Sequence, residues 1–133
     1  MSDLKPEGRP LIVWVEDNRD YQAVIREWLL PRYDVVTYDD GEAFLTDIQD
    51  LEPDLVMLDV QLPGPDGFKL CRKIRADERL REVPILFLTS CEDDETYIAH
   101  LDVGGTGFVT KPIDKKKLLT AIGELVDGAR ITL

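Results

Sequence analysis

Leu11-Ile-Val-Trp-Val15, Leu55-Val-Met-Leu58 and Ile85-Leu-Phe-Leu88 are short runs of uninterrupted apolar residues. A strand with one wet face alternates apolar and polar positions. A run without polar breaks suits a strand covered on both faces, as in a parallel sheet. Val35-Val36 and Phe108-Val109 are weaker strand candidates lying between segments of helical period.

In those segments the spacing changes. Tyr21, Val24, Ile25, Trp28 and Leu29 fall at i, i+3, i+4, i+7 and i+8, one apolar stripe, and Pro31 closes that helix. Phe44, Ile48 and Leu51 repeat the pattern more sparsely after Asp39-Asp40-Gly41. Leu70, Cys71 and Ile74 mark a third helix after Gly67, and Tyr97, Ile98 and Leu101 a fourth before Gly104-Gly105. Leu118, Ala121, Ile122, Leu125 and Val126 form the clearest stripe, in a fifth. Five strands alternating with five helices predict one doubly wound α/β domain, a (βα)5 sandwich with helices on both faces of a parallel sheet. The expected domain is 10–126, with 1–9 an N-terminal tail and 127–133 a C-terminal tail or the start of a linker.

The 133 residues can bury one sizeable core. Acidic residues number 27 against 16 basic ones, a net charge of −11, which argues against direct binding of nucleic acid or of an anionic membrane. No apolar run approaches a membrane span and the first ten residues are polar, so a cytoplasmic protein without a signal peptide is expected. Cys71, Cys91 and His100 lack the spacing of a zinc site, and buried or half-buried free thiols are expected. Most of the acids are expected to serve solvation and helix ends, as Glu92-Asp93-Asp94-Glu95 would at the start of the fourth helix.

Polar residues follow each buried run. Glu16 and Asp17 come after the first strand, Asp59 ends the third, Thr89-Ser90 follows the fourth and Lys111-Pro112 the fifth. In an open α/β sheet the carboxyl ends of parallel strands share one edge, where ligands bind. Residues tens of positions apart then meet as three carboxylates, a hydroxyl and one ammonium. Such carboxylates repel unless a cation compensates, and Mg²⁺ suits oxygen ligands of this kind. An acceptor oxygen, a hard cation and an ammonium are the parts phosphoryl transfer needs. Taken singly, Glu16-Asp17 and Thr89-Ser90 could instead cap helices, and Lys111 could be a surface lysine.

With these motifs the sequence resembles a response-regulator receiver domain, the phospho-accepting module of two-component signalling. The resemblance rests on Val15-Glu16-Asp17-Asn18, Asp59-Val-Gln-Leu-Pro-Gly-Pro-Asp-Gly67, Leu88-Thr89-Ser90 and Gly104-Gly-Thr-Gly-Phe-Val-Thr-Lys-Pro112. It implies a flavodoxin-like fold with strand order 2-1-3-4-5, the order for which a member of the family is the standard illustration. It also implies a signalling switch, not a metabolic enzyme. Asp59 would be the phosphoacceptor. Asp17, with Glu16 through water and the Gln61 backbone carbonyl, would hold Mg²⁺ beside it. Lys111 would contact the phosphoryl oxygens, Thr89 would move to hydrogen-bond one of them, and Phe108 would swing inward in response. Phe108 as a permanently buried aromatic is the alternative. Pro112 would follow Lys111 in a cis bond. The implied donor is a phosphohistidine on a sensor histidine kinase or a histidine phosphotransfer protein. A downstream protein or effector domain would read the face made by the fourth helix, fifth strand and fifth helix.

Some positions depart from the pattern of many members. Glu16 stands where Asp is frequent, and Gln61 and Cys91 flank the phosphoryl position. Thr106-Gly107 replaces the acidic pair of many members that dimerise by charged contacts, and Ile113 stands where those members often have Phe, so a monomer is expected over that charged-face dimer. A phosphatase of the haloacid-dehalogenase type would need a second Asp where Gln61 stands, and a P-loop hydrolase would need a Gly-Lys-Ser/Thr loop. Serine hydrolysis would rest on His100 alone. The remaining alternative is a pseudo-receiver, a protein-interaction module that accepts no phosphate.

Overall fold

A computed structural model describes residues 9–90 and 93–131. The strands are β1 (Leu11–Val15), β2 (Asp34–Tyr38), β3 (Leu55–Asp59), β4 (Ile85–Thr89) and β5 (Gly107–Thr110). The helices are α1 (Arg19–Leu29), α2 (Gly41–Asp47), α3 (Gly67–Ala76), α4 (Asp94–Asp102) and α5 (Lys115–Ile131), with 3₁₀ turns at Ile48–Asp50 and Glu78–Leu80. The strands form one parallel sheet in the order β2-β1-β3-β4-β5, so the flavodoxin-like doubly wound fold is correct.

The uninterrupted apolar runs follow from burial on both sides. Successive side chains of a strand point to opposite faces. Ile12, Trp14, Leu55, Met57, Leu86 and Leu88 pack with Ile25, Leu29, Leu118, Ile122 and Val126 of α1 and α5. Val13, Val15, Val56, Leu58, Ile85 and Phe87 pack on the other side with Phe44, Leu70, Cys71 and Ile74 of α2 and α3. Strand β2 at one edge and β5 at the other are mostly half-buried, hence their weaker signals.

Each helix starts on a short polar side chain that accepts a backbone N–H three residues on. Asn18, Asp40, Asp66 and Asp93 do so for α1 to α4, and Asp114 bonds the Lys117 N–H at the start of α5. Part of the acid excess is thus helix-end chemistry. The caps also remove the helix-capping explanation of the strand-end residues, since Asn18 caps α1 and Asp93 caps α4.

Two expectations change. Tyr97, Ile98 and Leu101 do lie on α4, but they are 50, 55 and 53% exposed, while His100 is the buried residue at 2%. Helical spacing identifies the helix without saying which side turns inward, and here the inward side carries the imidazole. Helix α2 ends at Asp47, and Leu51 already has extended backbone (φ −113°, ψ 147°) beyond the 3₁₀ turn, close to Pro53. Helix α5 runs from Lys115 through Ile131. Cys71 is a buried structural thiol donating to the Val103 carbonyl at 3.2 Å, and burial pushes its pKa up to about 11. Cys91 and Glu92 lie outside the described residues.

Candidate functional site

The carboxyl edge of the sheet collects the strand-end residues. Glu16 continues β1 by one rung, its N–H donating to the Tyr38 carbonyl at 2.9 Å, and it is fully buried. Its Oε2 accepts the Asn18 N–H at 3.0 Å, and the Gln22 amide donates to its backbone carbonyl. The turn that launches α1 therefore also fixes the acidic pair. Asp17, the next residue, is exposed at the mouth.

Asp59 ends β3 with 6% of its surface exposed. Its Oδ1 accepts the Gln61 N–H at 3.0 Å, which sets the main chain of Gln61 beside the carboxylate. Helix α3 begins hard against this strand end. The Gly67 N–H donates to the Val60 carbonyl at 2.9 Å, and a Cβ on Gly67 would lie 2.2 Å from the Asp59 carbonyl oxygen. Only glycine allows that approach.

Lys111 follows β5. Its N–H donates to the Thr89 carbonyl at 2.7 Å, one rung beyond the Thr89–Thr110 pairing, and the Lys111–Pro112 bond is cis. Its ammonium donates to Glu16 Oε1 at 2.9 Å and Asp59 Oδ2 at 2.8 Å, with 13% of the side chain exposed. The ring of Tyr21, on the first turn of α1, lies 4.5 Å from the same ammonium, centroid to Nζ. Sequence reading counts Tyr21 as part of a core stripe and misses this contact.

Glu16, Asp17 and Asp59 each offer an oxygen, and these oxygens all lie within 4.8 Å of one another. The Lys111 ammonium pairs with two of these three carboxylates, Glu16 and Asp59. Burial raises the Glu16 pKa against the opposing pull of Lys111 and the Asn18 N–H. For Lys111, burial alone would lower the pKa, but hydrogen bonds and charge from Asp59 and Glu16 outweigh it and hold the ammonium above its ordinary value. An all-oxygen acidic set with a negative surplus is the donor chemistry of a hard divalent cation, and the residues fit Mg²⁺.

Thr89 is fully buried at the end of β4. Phe108 lies apart from the carboxylates. It is half-buried under α4, its ring 5.0 Å from that of His100 and 5.7 Å from that of Tyr97. The structure thus brings Glu16, Asp17, Asp59 and Lys111 into one pocket, with Thr89 attached through the Lys111 main chain.

Known proteins share this sequence pattern and this fold. The chain matches the response regulator receiver domain family over residues 12–123. It is 31% identical to the transcriptional regulatory protein GltR of Pseudomonas aeruginosa over 130 residues, which cover 97% of this chain and 53% of GltR. The chain thus spans about half the length of that relative. The structure of the Vibrio cholerae chemotaxis protein CheY4 superposes with a TM-score of 0.84 at 26% identity, covering 88% of this chain and 98% of CheY4. The receiver domain of the sensor histidine kinase PA1611 from P. aeruginosa, solved with a magnesium ion coordinated in its active-site cleft, gives 0.82 at 29% identity and covers 90% of this chain and 98% of that one. With this sheet order and this acidic pocket, the chain belongs to the response regulator receiver domain family of two-component signalling.

Proposed function

We propose that the domain accepts a phosphoryl group on Asp59 from a phosphohistidine of a sensor histidine kinase or histidine phosphotransfer protein, in a Mg²⁺-dependent reaction. The observation that carries this reading is the nearly buried Asp59 carboxylate at a strand end, bonded to one ammonium and grouped with two further carboxylates. A carboxylate oxygen of Asp59 attacks phosphorus as the P–N bond of the donor breaks, and the imidazole leaves. Alignment and charge neutralisation do most of the work in such a transfer. Lys111 is already within hydrogen-bond reach of Asp59 and can pass an N–H to a phosphoryl oxygen. The Gln61 N–H on Oδ1 holds the carboxylate in one orientation.

Glu16, Asp17, Asp59 and the Gln61 backbone carbonyl would hold Mg²⁺, whose chemical contribution is to neutralise charge on the phosphoryl oxygens. Thr89 would supply a hydroxyl to the new group, and Phe108 would follow it inward. The exposed Tyr97, Ile98 and Leu101 on α4 support the α4–β5–α5 face as the surface read by a downstream protein or effector domain. Among the described residues no helix is long and apolar enough to cross a membrane.

Incubation with acetyl phosphate and Mg²⁺, followed by intact mass, tests the reading. One phosphoryl adduct is expected, absent in Asp59→Asn. No adduct with acetyl phosphate or a phosphohistidine donor, the behaviour of a pseudo-receiver, would overturn it, as would an adduct that survives the substitution.

A further inference from the structure

We propose that Tyr21 is a positioning residue for phosphoryl transfer, holding the Lys111 ammonium in the acidic pocket through the face of its ring. The proposal rests on Asp59 being the phosphoacceptor. The ammonium lies between two kinds of partner, Glu16 Oε1 and Asp59 Oδ2 at 2.9 and 2.8 Å and the Tyr21 ring at 4.5 Å. An ammonium has three N–H donors, and the carboxylates take two. The ring face offers a cation electrostatic attraction that grows as water is excluded, and little water reaches a side chain 13% exposed.

The placement of the ring is built into the turn after β1. Asn18, next to Asp17, caps α1 by accepting the Tyr21 N–H at 3.0 Å. The same asparagine donates its own N–H to Glu16 Oε2. One residue thus sets both the carboxylate and the aromatic that flank the ammonium.

A ring at this position matters because lysine is a poor positioning device on its own. Its four-carbon stem is flexible and its charge is a point, without the planar fork of arginine. Once Asp59 carries a phosphoryl group, Lys111 must redirect an N–H from the carboxylate to a phosphoryl oxygen. With Tyr21 against it, the ammonium can turn in place but cannot easily leave. Without the ring, the stem can swing toward solvent and the transferring group loses its nearest positive charge. The effect falls on the chemical step, not on how tightly a small donor binds.

The test compares wild type with Tyr21→Phe, Tyr21→Leu and Tyr21→Met, using acetyl phosphate with Mg²⁺ and intact mass as the clock. A small donor makes no use of a protein docking surface. Loss of the aromatic face should lower the maximal phosphorylation rate about tenfold, the scale of a largely desolvated cation–π contact, with the half-saturating donor concentration unchanged. Tyr21→Phe keeps the face and should keep most of the rate. In NMR spectra the Lys111 ε-methylene protons should be shifted upfield by the ring in wild type and Tyr21→Phe, and return to ordinary values in the folded Leu or Met variant. Wild-type rates in Leu and Met, an unmoved Lys111 resonance, or a Phe variant as slow as Leu would each overturn the proposal. An unphosphorylated wild type would instead overturn the Asp59 reading and the role built on it.

Discussion

His100 lies on the inward side of α4 with 2% of its surface exposed and its Nδ1 2.6 Å from the Tyr97 carbonyl. In the neutral ring Nδ1 carries the proton and donates it to that carbonyl. Burial lowers the His100 pKa below 6.5, only partly opposed by the Tyr97 bond. As pH falls, the unfolded chain, titrating near 6.5, takes up the proton before the folded one does. The contribution of His100 is therefore intact above about pH 7 and is lost as pH drops through 6.5 toward the folded value. Glu16, with its pKa raised by burial, works in the opposite direction, so wild type must be compared with a variant. The urea midpoint of wild type should fall from pH 7.5 to 5.5 more steeply than that of His100→Leu. Parallel curves would remove this role.

At the scale of elements, two junctions stand out. Helix α3 starts within a missing methyl group of the Asp59 carbonyl. Gly67→Ala must push that helix or the end of β3 aside, at a cost of roughly 1–3 kcal/mol, and it should slow phosphorylation because Asp59 moves. A urea melt and the acetyl phosphate reaction, run on the same sample, check both effects. The second junction is at the carboxyl ends of the helices. Arg75 donates to the carbonyls of Leu80, Val83 and Gly104, Arg79 to those of Ile48 and Leu51, and Arg9 to those of Leu30 and Tyr33. Guanidinium forks satisfy acceptors that helices and turns leave open and suit the negative end of the dipole. Arg75→Ala should lower stability by roughly 2–3 kcal/mol with an unchanged urea m-value. Arg75→Lys should recover little, because a point charge cannot reach three carbonyls at once.

Across the whole molecule, three carboxylates gather at one edge of the sheet, and two of them, Glu16 and Asp59, pair with the Lys111 ammonium. A divalent cation bound there should stabilise the fold by about 2.7 kcal/mol at a hundred times its dissociation constant. A Tm rise of several degrees with Mg²⁺, absent with NaCl at matched ionic strength and lost in Asp17→Asn, is the expected result. The sheet and this convergence are legible in the sequence because both signals are local. Each apolar run announces a strand, and the polar residue after it, such as Asp59 after Leu58, announces the edge. What is not legible depends on direction or distance. The spacing of Tyr97, Ile98 and Leu101 fits a helix equally well whichever face turns inward. Tyr21 reads as one more apolar residue, since nothing nearby in the chain foretells a lysine on its ring. The end of α5 was hidden by Gly128 and the loss of a regular stripe after Val126.

The ion pair between Lys111 and Glu16 joins residues 95 positions apart, and that between Lys111 and Asp59 spans 52. Such contacts close long loops, so they are expected to form late, after the central strands have found their register. The pocket should therefore be nearly absent from the folding transition state. A cation that binds it would then slow unfolding and leave refolding almost unchanged. In stopped-flow chevrons Mg²⁺ should lower the unfolding arm and leave the folding arm in place. Occupancy of the pocket would then govern how long the native state lasts, not how quickly it is reached.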